Sequence, residues 1–224
     1  VRQTASADIL RVISGAQTDV KPVFDAISKA ALHLLNCDAA TVIIHDGDGF
    51  HNVASATVEG PLTNMHVERV AIDPDMNSPS RVIVTKSIIH VPDFSSNDLP
   101  PHDKEAHKKF GINSCLFMPL LRGDQCHGVL CFSRLETRAF SPDEIELAQS
   151  FCDQAVIAIQ NARMFNETQA SLARQTASAN VLRVISESPT DVTPVFEEIV
   201  SSGVSLIECD LALAIRTDGT DSWQ

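Results

Sequence analysis

FGINSCLFMPLLRGDQCHGVLCFSR (Phe110–Arg134) is the stretch of this 224-residue chain that decides the fold class. It contains two mainly apolar runs of strand length, Ser114–Leu120 and Gly128–Ser133, which are separated by the turn residues Arg122-Gly-Asp-Gln125. Apolar runs on either side of a turn that contains Gly and Asp are typical of a β-hairpin. The pattern therefore predicts two neighbouring strands of one sheet.

Three further segments nearer the amino terminus also predict strands. Thr41–His45 is rich in β-branched residues, and Asp46-Gly-Asp-Gly49 is a tight turn into a returning strand, His51–Val58. Ser87–Val91 is a third short run with strand character. Together with the hairpin, these segments predict at least five strands in one sheet.

Helical patterns precede and interrupt the strands. Ser6–Ser14 places its apolar residues on one helical face, and a second helix begins near Pro22 and keeps a core-facing stripe as far as Leu35. A short helix over Asp103–Phe110 should end at Gly111. These helices and the sheet indicate an α+β fold.

A helix of exceptional length should begin at Ser141-Pro-Asp-Glu144. This tetrapeptide combines an N-cap, a first-turn proline and acidic residues that favour the helix dipole. No Gly or Pro follows until Pro189, so one helix of about 45 residues, or two with a slight break, should occupy the span. We interpret this helix as a C-terminal connector.

An internal repeat sets the domain organisation. Gln3–Gly47 and Gln175–Gly219 match at about half of their positions, with a constant offset of 172 residues. A period this long indicates tandem globular domains, because solenoid units repeat every ~20–50 residues. We expect an N-terminal signalling helix (1–17), a sensor domain (18–166), a connector helix (167–189) and the truncated start of a second such domain (190–224).

Composition argues against several functional classes. The chain has 17 Lys and Arg against 29 Asp and Glu, a formal charge of −12 that would repel nucleic acid. No apolar stretch approaches the ~20 residues that a membrane-spanning helix needs. The amino terminus lacks a secretory signal pattern, and the six cysteines form no Cys-x-x-Cys pair. We expect a cytoplasmic fragment of a larger protein with reduced cysteines, no nucleic-acid partner and no membrane insertion.

Four motifs in sequence order resemble the GAF family. They are His90-Val-Pro-Asp93, Phe110–Leu120, His127–Arg134, and Phe140-Ser-Pro-Asp-Glu144 running into a helix that ends with Ile159–Phe165. The flanking repeats are similar to segments between tandem GAF domains of bacterial histidine kinases and nucleotide cyclases. The resemblance implies an antiparallel sheet of five to six strands, with helices on one face forming a dimer interface and a ligand pocket on the other face.

Two ligand classes of the family match this sequence only in part. Cyclic-nucleotide-binding members carry an Asn-Lys pair before a Phe and an Asp-Glu pair; Phe140 and Asp143-Glu144 are present, but Ser133-Arg134 stands where Asn-Lys would be. Bilin-binding members attach the chromophore through a Cys that is often next to a His. Cys126-His127 offers this dipeptide, but at the exit of a hairpin turn.

Catalysis and metal binding are also weighed. The methionine sulfoxide reductase branch of the family needs two cysteines close together over the pocket, whereas residues 78–81 contain no Cys and Cys115 is alone on its strand. Four possible metal ligands fall in the pocket roof: His90, Asp93, His102 and His107. The last two are five residues apart, which does not place them on one helix face. We expect a non-catalytic module without a metal.

The candidate ligand-binding residues combine strand side chains with polar groups of the roof. They are Arg81, Asp93, His102, His107, Cys115, Phe117 and Phe132. Side-chain alternation along a strand cannot by itself tell which strand residues face the pocket. The resemblance implies that a small molecule binds there, but its identity and that of any cofactor are unknown.

A 3–4 spacing of mainly small or apolar residues along the helices predicts a soft dimer seam. Its members are Ile9, Ile13, Ala148, Phe151, Ala155, Ala158, Ala162, Phe165 and Leu172. We expect a parallel homodimer that transmits ligand occupancy to an output domain, a histidine kinase, beyond Gln224. The alternatives are a constitutive dimerisation scaffold with a vestigial pocket and a cyclic-nucleotide-binding GAF domain whose parent protein is a nucleotide cyclase.

Overall fold

The computed structural model describes residues 20–58, 69–95, 99–187, 192–207 and 209–215. The chain divides into two units, with the boundary between Arg163 and Met164. The predicted helix at Ser6–Ser14, including Ile9 and Ile13, lies outside the described residues. In the described part of the chain, no helix is both long enough and apolar enough to cross a membrane.

Within these residues, six strands form one antiparallel sheet in the order β3-β2-β1-β6-β5-β4. The strands are β1 (Ala39–Asp46), β2 (Gly49–Thr57), β3 (Val70–Ala71), β4 (Ile89–Val91), β5 (Ser114–Arg122) and β6 (Gln125–Arg134). The predicted turns form the β1–β2 and β5–β6 hairpins. The expected antiparallel sheet of five to six strands is confirmed, although the two-residue β3 was not predicted.

The two hairpins join through β1 and β6 at the centre of the sheet. Gly128 pairs with Ile44, and a Cβ atom at Gly128 would lie 2.0 Å from the carbonyl oxygen of Ile43. A β-bulge interrupts the β1–β2 register between Val42 and Ile43. Glycine is therefore required where β6 approaches this irregular part of β1.

The described residues contain five helices: α1 (Lys21–Leu34), α2 (Ser78–Thr85), α3 (Pro101–Phe110), α4 (Pro142–Glu187) and α5 (Thr193–Ile207). As predicted, Gly111 ends α3 in the left-handed conformation, with φ +68°. The long helix α4 contains 46 residues. Its start is a capping box, because Ser141 N–H donates to Glu144 Oε2 (2.8 Å) and Glu144 N–H donates to Ser141 Oγ (3.3 Å).

Sequence reasoning missed α2. Its N-cap is Asn77, whose Oδ1 accepts from Ser80 N–H at 2.8 Å, and Pro79 lies in its first turn. An Asn followed closely by Pro is a helix-start signal, but a helix of only eight residues shows little apolar periodicity. The short α2 is nevertheless important because it covers one face of the sheet.

The sheet separates two apolar cores. The helix-side core packs α1 and the first part of α4 against one face, with Leu116, Met118 and Phe132 contributed by β5 and β6. The cavity-side core lies on the other face and contains Phe117 and Cys131 of the same strands. Thus α1 and α4 pack on one face as expected, while the short helix α2 contributes Val82 and Ile83 to the other core.

The structure corrects the predicted dimer seam. Five of its members are buried in the chain's own first unit: Ala148, Phe151, Ala155, Ala158 and Ala162. They cannot also line an intermolecular seam. These five residues were misassigned because a coiled-coil seam and a core-facing stripe have the same 3–4 spacing, while the homodimer itself stays a prediction. Phe165 is half-buried and Leu172 is 54% exposed, so these two remain accessible.

The second unit reproduces only part of the first. Residues 211–215 correspond, by the 172-residue offset, to 39–43 of β1, yet they form no strand. In the first copy, β1 pairs with β2 and β6. The described residues after Met164 contain no strand that could pair in the same way, and Leu211, Leu213 and Ile215 are exposed.

Candidate ligand-binding cavity

A cavity of about 240 Å³ lies against the sheet face opposite α1 and α4. Its floor is formed by alternate side chains of the four strands β1, β2, β5 and β6: Thr41, Ile43, Phe50, Asn52, Cys115, Phe117, Cys131 and Ser133. Its roof comes from the start of α2, from α3 and from the segments before them. The position agrees with the pocket that the sequence resemblance implied.

Strand register decides which predicted residues face the cavity. Phe117 pairs with Cys131, and both side chains line the cavity, as does Cys115. Phe132 follows Cys131 and therefore points to the opposite face, where its ring centroid lies 6.5 Å from that of Phe151. Phe132 is thus corrected from a pocket residue to a residue of the helix-side core.

Of the predicted polar residues, only His102 lines the cavity. Arg81 Nε donates to the carbonyl of Pro74 at 2.6 Å, and Asp93, a half-buried residue just before a turn, accepts from Ser95 N–H at 2.8 Å. His107 Nδ1–H donates to the carbonyl of Ile112 at 2.6 Å. These three residues do not line the cavity. The ligand contacts of His102, Cys115 and Phe117 stay predictions.

Sequence reasoning missed the polar end of the cavity, which Asn77 and Asp103 form. Asn77 is 4% exposed and Asp103 is 6% exposed. Ser78 donates to Asp103 from its backbone N–H (3.2 Å to Oδ2) and from its hydroxyl. Burial raises the pKa of the Asp103 carboxyl, although the hydrogen bonds from Ser78 oppose the shift. The available signals were the Asn-Ser-Pro helix start and an Asp in the first turn after Pro100-Pro101.

Two thiols lie on the cavity floor, whereas the sequence had suggested only Cys115. Cys131 is its diagonal neighbour, since Cys115 pairs with Ser133 and Phe117 pairs with Cys131. Burial raises the pKa of Cys115 to about 12 and also raises the pKa of Cys131. Because the thiolate is the reactive form, both residues act at neutral pH as small apolar lining groups rather than nucleophiles.

A partly buried cluster of charged and aromatic side chains, which we call the Arg134 cluster (Arg134, Arg138, Phe140, Glu144), connects the end of β6 to the start of α4. Arg134 Nη2 donates to Glu144 Oε1 at 2.6 Å, and the guanidinium lies 3.7 Å from the centroid of the Phe140 ring. Arg138 also reaches Glu144, at 3.3 Å. Although burial opposes it, the hydrogen bonds from Ser141 and Arg134 lower the pKa of Glu144.

His90 joins the edge strand β4 to this cluster. Its Nε2 accepts from Phe140 N–H at 3.0 Å, so the imidazole must be neutral at that nitrogen. Burial, with the nearby positive charge of Arg134, lowers the pKa of His90. His90 therefore has a structural partner in the first unit, although sequence reasoning had weighed it as a metal ligand. Within the described residues, no three His, Cys, Asp or Glu side chains are grouped closely enough to hold a metal ion.

A ligand-sized cavity on one face of an antiparallel sheet, with a long helix packed on the other face, defines an α+β domain that can bind a small molecule. The family model of the GAF domain matches residues 19–159. The chain therefore belongs to the GAF domain family, whose members are sensory ligand-binding modules of signalling proteins and are generally non-catalytic.

Solved structures and one curated relative are similar to this chain. The GAF domain of an Acinetobacter phosphoenolpyruvate-protein phosphotransferase has a TM-score of 0.59 at 14% identity, covering 74% of this chain and 96% of that chain. A methyl-accepting chemotaxis protein fragment has a TM-score of 0.58 at 18% identity, with coverage of 71% and 97%. These identities support the fold alone.

The curated relative is the formate hydrogenlyase transcriptional activator FhlA of Escherichia coli (strain K12). It is 24% identical over 102 residues, which are 45% of this chain and 15% of that protein. The match thus spans a small part of the relative's length, and the activity of the relative does not transfer to this chain.

Proposed function

We propose that this chain is a non-catalytic sensory module that binds a small molecule in the cavity and transmits its occupancy through α4. The proposal rests on the observation that β5 and β6 contribute side chains both to the cavity and to the core on the opposite face of the sheet. Phe117 and Cys131 line the cavity, while Leu116 and Met118 pack in the helix-side core beneath α4. A ligand that displaces these strands acts on the packing of the helix.

The Arg134 cluster supplies a second connection between the sheet and α4. Arg134 ends β6, and Glu144 lies in the first turn of the helix. A shift of β6 would therefore change the position of the helix start. Allosteric coupling energies of about 1–3 kcal/mol are typical, and we propose that the shared strands and the Arg134–Glu144 ion pair carry this coupling.

Transmission is proposed to continue through a parallel homodimer to an output domain in the full-length cytoplasmic protein. A histidine kinase is the output that the sequence resemblance supports. The dimer would use the accessible part of α4, where Leu172 is exposed, because the alanines of the earlier turns are occupied by the chain's own core.

A ligand screen followed by hydrogen-exchange mass spectrometry tests this proposal. Thermal-shift measurements with metabolites should identify a stabilising compound, and that compound should change exchange in residues 142–163. Glu144→Gln should reduce the change, whereas Glu146→Gln, an exposed position on the same helix, should not. Binding without any change in α4 would contradict signalling. A dimer by native mass spectrometry that binds no compound would favour the constitutive scaffold.

A further inference from the structure

We propose that the cavity selects an uncharged, mainly apolar ligand of about two fused rings that presents a hydrogen-bond acceptor to Asn77 and a neighbouring donor to Asp103. This inference rests on the proposed function, because it specifies the ligand class of the same cavity. It follows from the size of the cavity, from one buried donor without a partner and from the charges on the lining.

Size and lining set the apolar body of the ligand. A cavity of about 150 Å³ accommodates benzene, so a volume of about 240 Å³ admits a larger ring system. Aromatic side chains surround this space from the sheet and the roof, among them Phe50, Phe94 and Phe117. Flat aromatic compounds suit such a lining because offset and edge-to-face ring contacts are favourable.

Asn77 provides the first specific contact. Its Oδ1 is held by Ser80 N–H, and this bond fixes the orientation of the amide. In the described part of the chain, no acceptor lies within hydrogen-bond distance of Asn77 Nδ2, although the residue is 4% exposed and lines the cavity. A buried donor is costly to leave unpaired, so a ligand carbonyl or ring nitrogen at this position gains affinity.

Asp103 provides the second contact at the same end of the cavity. Ser78 follows Asn77 directly and donates to both Asp103 oxygens, so the two polar side chains are neighbours. A carboxylate can accept further hydrogen bonds beyond those two. A ligand N–H or O–H beside the acceptor would use this capacity. A donor on Asn77 beside an acceptor on Asp103 is complementary to the edge of a lactam, in which a C=O group lies next to an N–H group.

The charges of the lining oppose an anionic ligand. Among the described residues that line the cavity, none is Lys or Arg, the one histidine, His102, is exposed, and Asp103 is an acid. Arg81 lies close enough to influence Asp103, but its Nε is occupied by the carbonyl of Pro74 and it does not line the cavity. A cyclic nucleotide would place its phosphate near the Asp103 carboxyl with no Lys or Arg in the lining to pair with it, which is strongly unfavourable.

Four probes and two variants test the ligand class on the 224-residue chain by calorimetry. Quinolin-2(1H)-one carries both polar groups, its N-methyl derivative lacks the donor, and 2-naphthoate and cyclic AMP are anions. Asn77→Asp keeps a good N-cap but removes the Nδ2 donor, and Asn166→Asp makes the same change at an exposed position of α4. Side-chain amide spectra report directly on the Asn77 protons.

The expected result is that quinolin-2(1H)-one binds and shifts the Asn77 side-chain amide signals. N-methylation and Asn77→Asp should each weaken binding about tenfold, while Asn166→Asp should leave it unchanged. Tighter binding of 2-naphthoate or cyclic AMP would overturn the ligand class but leave the sensory function standing. Failure of both neutral probes to bind would also overturn the class, and the metabolite screen described above then judges the function separately.

Discussion

At the scale of single residues, the Arg134 cluster carries an unusual concentration of polar contacts in an apolar setting. Arg134 is 1% exposed, and its guanidinium donates to Glu144 and to four backbone carbonyls, those of Leu35, Asn36, Arg138 and Ala139. The planar fork of Arg can serve all these acceptors at once, whereas the point charge of Lys cannot.

Arg134→Lys should therefore destabilise the first unit by about 2–4 kcal/mol, because buried carbonyls and part of the ion pair lose their donors. Urea unfolding of the two proteins measures the difference. Arg138→Lys is the matched control, since Arg138 contacts the same carboxylate from a side chain that is 39% exposed, and its cost should stay below about 1 kcal/mol. Equal effects of the two substitutions would show that burial of Arg134 is not decisive.

His90 predicts a pH dependence with a definite sign. Its pKa is lowered below the usual value of 6.5 in the folded state, so folding favours the neutral ring. The stabilisation from neutral His90 is fully present above pH 6.5 and is lost as pH falls through the lower folded-state pKa. Protonation would also end the hydrogen bond that Nε2 accepts from Phe140.

His90→Gln should flatten the fall in stability below pH 6.5 because Gln offers an acceptor but does not titrate. Urea unfolding at pH values between about 5 and 7.5 measures how the free energy of unfolding changes with pH. His33→Gln, at an exposed position of α1, should leave the wild-type curve in place. A wild-type curve that is parallel to that of His90→Gln would contradict the assignment.

At the scale of elements, α4 illustrates that the same 3–4 spacing can belong either to a core-facing stripe or to a dimer interface. Its first turns place small residues such as Ala148 and Ala155 against the sheet, and these are fully buried within the first unit. Alanine lets a helix approach a sheet closely, which explains why the stripe resembled a soft seam. Exposed apolar side chains on this helix remain available for a partner: Ile157, Met164, Leu172, Leu182 and Ile185.

Leu172→Glu should therefore convert the proposed homodimer to a monomer without unfolding the chain. A charge in an apolar seam is costly, while the same residue in the free monomer is 54% exposed to solvent. Analytical ultracentrifugation at tens of micromolar measures the association, and circular dichroism measures the fold. Ser171→Glu, an adjacent exposed position, is the control and should stay dimeric. A wild type that sediments as a monomer would refute the dimer.

At the scale of the whole molecule, the two units differ in how much apolar surface they bury. The first unit has a core on each face of its sheet. In the second unit, Phe196 and Ile199 of α5 are 41% and 46% exposed, although the equivalent residues Phe24 and Ile27 of the first copy are fully buried. The sheet that covers the first set is what makes the difference.

Deletion of residues 190–224 should consequently leave the first unit folded. Its thermal midpoint should shift by no more than a few degrees, because its two cores lie within residues 20–163. Calorimetry of the shortened chain checks this, and a two-dimensional amide spectrum shows whether residues 20–163 keep their positions. Unfolding of the shortened chain would mean that the predicted boundary at 190 is misplaced. We also expect weaker higher-order association, since exposed apolar side chains are removed.

The amino-acid sequence by itself determined the elements whose signals are local. A few neighbouring residues specify each of the predicted turns and helix ends, so the two hairpins, α3 and α4 were all predictable. These local signals are the turns at Asp46–Gly49 and Arg122–Gln125, the N-cap at Ser141 and the helix end at Gly111. Sequence motifs also indicated the GAF family and the position of the pocket. The short elements α2 and β3 were missed because eight and two residues are too few to show a clear apolar periodicity.

Only the tertiary structure decided which face each side chain occupies and which distant groups meet. A strand alternates with period two, but the sequence does not say which set faces the helices, and so Phe132 was misplaced while Cys131 was missed. The 3–4 spacing of α4 could not separate a dimer seam from a core stripe. Asn77 and Asp103 lie 26 positions apart in sequence and become neighbours only because α2 and α3 meet over the sheet. Such contacts depend on long-range packing, which no local pattern encodes.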